Sequence, residues 1–152
     1  METTLVLLKP DCIMRDLTGT IIDRFAQRGL RIVGMKMMAL SDEILTEHYA
    51  HIADKPFFPG VMASMQKTPV IAIALAGKDA AAVARGMAGT TNAREATPGT
   101  IRGDYAVSIQ NNIVHISEDS AAAATEVARF FAADELHAPI GLDTVYSPDE
   151  LN

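Results

Sequence analysis

The stretch NNIVHISEDS, residues 111 to 120, sets one ionisable ring, His115, among Ile113, Val114 and Ile116, with acids close behind at Glu118 and Asp119. A histidine in such a place can be a core residue bonded to backbone or a nucleophile. The second is open to it because a free imidazole, with an ordinary pKa of about 6.5, offers a lone pair at neutral pH without a base to remove a proton. His48 and His51 are three apart and would share a helical face as a metal pair, but no third ligand stands near them in the sequence, and both read as surface residues. Cys12 is the only cysteine, so one chain can form neither an internal disulfide nor a cysteine-based zinc site. Neither GxxxxGKS/T nor a GxGxxG after a strand occurs, which removes the two common glycine-rich phosphate cradles.

The elements that must position these residues follow from periodicity and breakers. TTLVLL, residues 3 to 8, is an apolar run of strand length, and Lys9-Pro10-Asp11 stops it because proline lacks the amide hydrogen a ladder needs. The opening METTLVLLKP therefore reads as a first strand rather than a leader or a membrane span. Leu17, Ile21, Ile22 and Phe25 fall at helical spacing, with Gly29 as a stop. Residues 30 to 40 predict a strand with Val33, Met35, Met37 and Ala39 on one face. Ser41 is placed to cap a helix carrying Tyr49, residues 55 to 67 form a turn and a short helix with Pro59 near its start, and VIAIALA, 70 to 76, is a buried strand. Ala80, Val83, Ala84 and Met87 mark a helix that carries Arg85 and ends at Gly89. Residues 89 to 110 are rich in Gly, Thr and Pro without a sustained period, and a loop of that length in a compact domain is usually functional or disordered. NIVHIS is the last strand, followed by an alanine-rich helix with Ala123, Val127, Phe130 and Phe131 as its buried stripe. Two βαβ-like halves with two inserted helices predict an α/β (α+β) fold, a ferredoxin-like sandwich in which helices cover one face of a four-stranded antiparallel sheet. No internal repeat or boundary interrupts the chain, so residues 1 to 152 read as one domain with 137 to 152 as a C-terminal tail.

The charge distribution narrows the partners. Net charge is −6, with 12 basic and 10 acidic residues up to position 102 but 1 and 9 beyond it. Such a chain is poorly suited to nucleic acid as its main partner, because that affinity needs many Lys and Arg contacts to phosphate, and any phosphate site must rest on a few placed cations. An RNA-binding module of the same sheet architecture would also need exposed aromatics on its strands, and TTLVLL and NIVHIS contain none. With apolar runs of strand length only, nothing here reads as a membrane anchor, and the cytoplasm is the expected location.

Four stretches together are specific: TLVLLKPD at 4 to 11, EHYAHIADKPFFPG at 47 to 60, GTTNAREATPGTIRGDY at 89 to 105, and NNIVHISEDS. Over residues 3 to about 136 the chain resembles the nucleoside diphosphate kinases. The resemblance implies a ping-pong exchange in which a nucleoside triphosphate, typically ATP, phosphorylates a histidine and a nucleoside diphosphate takes the phosphate back. That histidine matches His115, as the pros-phosphohistidine nucleophile. Glu126 and Ser117 match the residues that orient its ring, and Tyr49 an active-site tyrosine beside it. Arg85 and Thr91 match ligands of the inner phosphates, Arg102 one nearer the transferred group, and Lys9 and Asn112 those reaching the ribose. Phe57 matches the aromatic that stacks on the base, with Val61 as its aliphatic partner and Phe58 left to the core. An apolar slot of this kind accepts many bases, in ribo- and deoxyribonucleotides alike. Mg²⁺ is the implied cofactor, held mainly by phosphate oxygens and water rather than by protein side chains. A homo-oligomer, tetramer or hexamer, is implied too, with the loop around Pro98 and the tail as contact regions. The chain departs from the family's usual Gly-Arg-Asn at Gln110-Asn111-Asn112, from its glycine after the histidine at Ile116, and from a frequent glycine at Cys12. Those departures raise the alternative of a catalytically weak nucleotide-binding or interaction protein of the same fold.

Overall fold

The computed structural model describes residues 1–151. Four strands, β1 (Glu2–Leu8), β2 (Arg31–Met38), β3 (Val70–Gly77) and β4 (Val114–Ile116), form one antiparallel sheet in the order β2-β3-β1-β4. Between them run α1 (Pro10–Met14), α2 (Thr18–Gln27), α3 (Asp42–His48), α4 (Phe58–Met65), α5 (Ala80–Ala88) and α6 (Ile101–Tyr105), with α7 (Ser120–Phe130) and α8 (Pro148–Leu151) after β4. Among the described residues no helix is long and apolar enough to cross a membrane.

Helices cover both faces of the sheet, not one. The reason lies in β1, where Leu5, Val6, Leu7 and Leu8 are all fully buried, so successive side chains need partners on opposite sides. Val6 and Leu8 pack with Ile21 and Phe25 of α2 and Ala80, Ala84 and Ala88 of α5. Leu5 and Leu7 pack with Leu45 of α3, Met65 of α4, and Val127 and Phe130 of α7. The stripe expected on α7, from Ala123 to Phe131, is buried throughout, and Asp119 caps the helix by accepting from the Ala122 amide.

Two other expectations change. In β2 the pairing with β3 shifts register between Ile32 and Gly34, a bulge that leaves Val33 in the core but turns Met35 and Met37 to solvent, at 53% and 59% exposure. The alternation read from sequence therefore breaks after Val33. The long loop contains ordered pieces: a 3₁₀ turn at Ala93–Glu95 and α6, whose N-cap Thr100 accepts from the Gly103 amide. Gly103 is obligatory there, since a Cβ would collide with the Thr97 carbonyl. Arg24 of α2 ties this loop down by donating to the Asp104 carboxylate at 2.8 Å and to the Gly99 carbonyl. The C-terminal segment is held against β2 and the end of β3: His137 N donates to Val33 O, Arg31 Nη2 to Gly141 O and Thr144 Oγ1, and the Lys78 amide to the Tyr146 hydroxyl.

Candidate active site

A cleft of about 710 Å³ opens beside β4, where the end of β1, the α3–α4 segment, α5, the long loop and α7 converge. Every site residue named from sequence lines it except Ser117, which is fully buried behind Glu126. Its floor is built by β1 and β4. Lys9 follows the last residue of β1, its amide donating to Ile113 O, while Pro10 starts α1 at the position where a missing N–H costs nothing. Ile113 has φ +73°, a strained conformation for a β-branched residue, held because the Asp11 carboxylate accepts from its amide at 3.0 Å. That kink turns the chain from the loop into β4, where His115 pairs with Leu7.

At His115 the hydrogen bonds assign the proton. Nε2 lies 3.0 Å from Glu126 Oε2, and Ser117 Oγ donates to the same oxygen at 2.6 Å. Ser117 is itself fixed by accepting from the Leu5 amide at 3.2 Å. Burial alone would raise the Glu126 pKa, but the hydrogen bond and charge of His115 and the Ser117 hydroxyl outweigh it and bring it down to about 2. An ionised carboxylate only accepts, so Nε2 of His115 carries a proton, and in the neutral ring the lone pair is on Nδ1.

Around this pair stand the cations. Lys9 Nζ donates to Asn112 Oδ1 at 2.8 Å and to Gln110 O at 2.6 Å, and Asn112 Nδ2 donates to Thr91 O, so four of the cleft's residues form one connected set. Burial, opposed by Asp11 and reinforced by Arg102, lowers the Lys9 pKa to about 8. Arg102, 5% exposed, donates from Nε to Asn112 O, from Nη1 to Gly89 O and from Nη2 to Val114 O. Three of its five N–H groups thus clamp the loop and α5 end to β4, leaving two for a ligand. Burial, and then the Arg85 charge, lowers its pKa to about 10. Tyr49, the C-cap of α3, sits with its ring centroid 6.3 Å from that of His115, and burial beside the Glu126 charge pushes its hydroxyl up to about 12. At the outer end Phe57 is 56% exposed at the N-cap of α4, with Val61 half-buried behind it, whereas Phe58 is buried in the core as expected.

His48 is a correction. It is not a surface residue but is 6% exposed, packed edge-on against His115 at 4.4 Å, Tyr49 at 4.8 Å and Phe130 at 5.1 Å, while His51 is exposed. Three-residue spacing pointed to His51 as its companion, and the third dimension supplies His115 instead. His48, His115 and Glu126 gather within 4.8 Å; Glu126 Oε2 takes the hydrogen bonds of His115 and Ser117, and the Arg129 guanidinium faces His48. Hydrogen bonds link His115, Glu126 and Ser117 within the cluster, and Arg129 adds its charge beside His48. Sequence reasoning also missed Ile109, an exposed apolar side chain that lines the cleft as Phe57 does; an aliphatic residue stranded in a polar loop was the available signal. Gln110, which departs from the family pattern, spans the cleft by donating to Gly60 O at 3.0 Å.

The sequence profile of nucleoside diphosphate kinase matches residues 2–136. The chain belongs to the nucleoside diphosphate kinase family. Among its relatives, the nucleoside diphosphate kinase of Parabacteroides distasonis is 54% identical over 136 residues, covering 90% of this chain and 89% of that protein. That of Rhodopirellula baltica is 46% identical over 135 residues, covering 89% of each. The solved structure of the Halobacterium salinarum nucleoside diphosphate kinase in complex with CDP superposes with a TM-score of 0.91 at 41% identity, covering 96% of this chain and 99% of that one. The apo Encephalitozoon cuniculi enzyme gives 0.91 at 36% identity over 96% and 100%. This chain is accordingly a phosphotransferase acting on nucleotides, and a non-catalytic role for the fold, raised by the departures at 110, 111 and 116, is not favoured.

Proposed function

We propose that this nucleoside diphosphate kinase works through a phosphohistidine at His115. The observation that carries the reading is the Nε2 to Glu126 hydrogen bond, which leaves the Nδ1 lone pair for a phosphorus atom. In the first half-reaction His115 Nδ1 forms a bond to the terminal phosphorus of a nucleoside triphosphate, typically ATP, as the bond to the bridging oxygen breaks and the diphosphate leaves. In the second, a terminal oxygen of another diphosphate takes the group back and the ring regains its lone pair. Glu126 stabilises the positive charge that the ring gains, Ser117 fixes the carboxylate, and Tyr49 donates near the transferred group. Arg85, Thr91 and Arg102 bind the phosphates, Lys9 and Asn112 the ribose, and Phe57 and Val61 the base.

The donor chemistry of the cleft fits Mg²⁺ carried by the nucleotide: its inner end is cationic, and its one deep carboxylate, Glu126, is committed to His115 and Ser117. No side chain of this protein would ligate the ion. When bound, Mg²⁺ neutralises phosphate charge and fixes the phosphate conformation, as its preference for phosphate oxygen and water allows. Broad acceptance of bases is supported by the apolar character of Phe57 and Val61; both ribo- and deoxyribonucleotides serve as substrates, and residues 1–152 act as one catalytic domain with 137–152 as its tail.

A homo-oligomer, tetramer or hexamer, is supported by β2, an edge strand with Ile32, Met35 and Met37 exposed at 40%, 53% and 59%. Cytoplasmic location is supported by cysteine usage, a single thiol at Cys12, which suits a reducing compartment. Initial-rate kinetics test the mechanism. Parallel double-reciprocal lines for donor and acceptor are expected, and intersecting lines refute a phosphorylated intermediate. Light scattering tests the assembly, which a monomer at micromolar concentration contradicts.

A further inference from the structure

His48 is the least expected member of the site, and its environment fixes its chemistry. An arginine donates and never accepts, so the 3.3 Å approach of Arg129 Nη1 to His48 Nδ1 requires a lone pair on Nδ1 and places the single ring proton on Nε2. Arg129 is held in that pose from its other side, with Nε donating to Glu47 Oε1 at 2.9 Å, and its side chain is only 13% exposed. Nδ1 is also the His48 atom that lies 3.8 Å from Glu126 Oε1. A proton on Nδ1 would face the carboxylate that orients His115 across 3.8 Å, a gap that the ring must narrow before it can donate. His48 Nε2, meanwhile, is buried without a hydrogen-bond partner among the described residues. The fold thus leaves a buried N–H unpaired while keeping Nδ1 on Arg129. The charged and titratable groups that face His48 are Arg129 and Glu126 from α7, His115 from β4, and Tyr49 and His51 after α3, and of these only Arg129 donates to it.

We propose that Arg129 is a positioning residue for phosphoryl transfer: by donating to His48 Nδ1 it holds that buried ring in the neutral Nε2–H tautomer and reserves the Glu126 carboxylate for His115. The inference rests on the reading of His115 as phosphate acceptor only for its kinetic consequence; the tautomer is independent of it. In Arg129→Leu nothing holds Nδ1 as an acceptor, so the His48 proton moves to Nδ1 and the freed ring closes the 3.8 Å gap to donate a hydrogen bond to Glu126. The Glu126 bond to His115 weakens, and kcat falls about fivefold with nucleotide KM unchanged. Burial of the ring by Phe130, Tyr49 and His115 keeps it neutral in either tautomer.

The test is ¹⁵N-histidine NMR on the full-length protein, which distinguishes the two neutral tautomers by the shifts of their ring nitrogens, together with steady-state kinetics of the same samples. The unaltered protein is expected to show His48 as Nε2–H, Arg129→Leu as Nδ1–H with the kcat loss, and Arg129→Lys, which restores a donor, to recover both. A dispersed spectrum of each variant reports the intact fold. A His48 proton on Nδ1 in the unaltered protein overturns the proposal, as does an Arg129→Leu variant with native kcat. If instead the tautomer behaves as expected while His115→Gln retains native exchange, the phosphohistidine reading fails and the Arg129 assignment of the tautomer stands.

Discussion

Replacing Glu126 by glutamine keeps the side chain's size and removes its charge, which isolates what the carboxylate does. In the native site one oxygen, Oε2, accepts from His115 at 3.0 Å and from Ser117 at 2.6 Å. A hydrogen bond to a charged acceptor contributes about 1.5–3 kcal/mol and a neutral one about 1 kcal/mol, so the His115 bond loses roughly 1–2 kcal/mol. That bond strengthens as the ring gains positive charge in transfer, and the loss falls on the transition state: kcat should drop about 5- to 30-fold. Nucleotide KM should stay near the native value, because Glu126 faces the ring and not the substrate's sugar or base. The same substitution carries a stability signature. The Glu126 pKa is brought from its ordinary 4.5 to about 2, with the side chain 13% exposed, a shift equivalent to about 3 kcal/mol. Because the folded value is depressed, this stabilisation is fully present above pH 4.5 and is lost as pH falls toward 2. Coupled-enzyme kinetics and urea unfolding between pH 7 and about pH 2 read the two arms. A kcat within about twofold of native, or a loss confined to KM, refutes the role given to the carboxylate. An acid unfolding slope identical in native and variant proteins refutes the pKa argument.

The other predictions concern binding and the loop. Since burial lowers the Lys9 pKa to about 8, native nucleotide affinity should weaken as pH rises from 7 to 9, whereas Lys9→Met should bind more weakly at pH 7 and show a flatter profile by calorimetry. Phe57→Ala should raise KM for purine and pyrimidine nucleotides alike, by the roughly 1–3 kcal/mol of a lost stacking contact, with kcat nearly unchanged; a defect limited to one base class contradicts an apolar slot. Gly103→Ala drives a Cβ into the Thr97 carbonyl and should lower stability by about 1–3 kcal/mol in thermal unfolding while weakening nucleotide binding, because Arg102 and the Gly99–Asp104 contact move with it.

What the sequence made legible was local or came from specific motifs. The apolar run of β1, its stop at Lys9-Pro10, the Ser41 cap and the stripe of α7 each depend on neighbours a few residues away, and each stands in the structure as read. The β2 alternation did not, because a bulge at Val33 arises from pairing with β3, and neither did the covering of both faces, which only the continuous burial of Leu5 to Leu8 reveals. The candidate site divides the same way. Residues in quoted motifs converge on one cleft, while His48 and Arg129 join it through contacts between α3 and α7, 81 positions apart, that no spacing rule reports. Ile109 was hidden by the lack of period in its loop.

The central claim is that His115 carries the phosphoryl group on Nδ1, and it is tested most directly by trapping the intermediate. Brief exposure to ATP labelled in its terminal phosphate, quenching in base and separation of the two phosphohistidine isomers should give a single acid-labile phosphoryl group on His115 Nδ1, chased off by any nucleoside diphosphate and absent from His115→Gln. Label on Nε2, on another residue, or persisting in that variant contradicts the account.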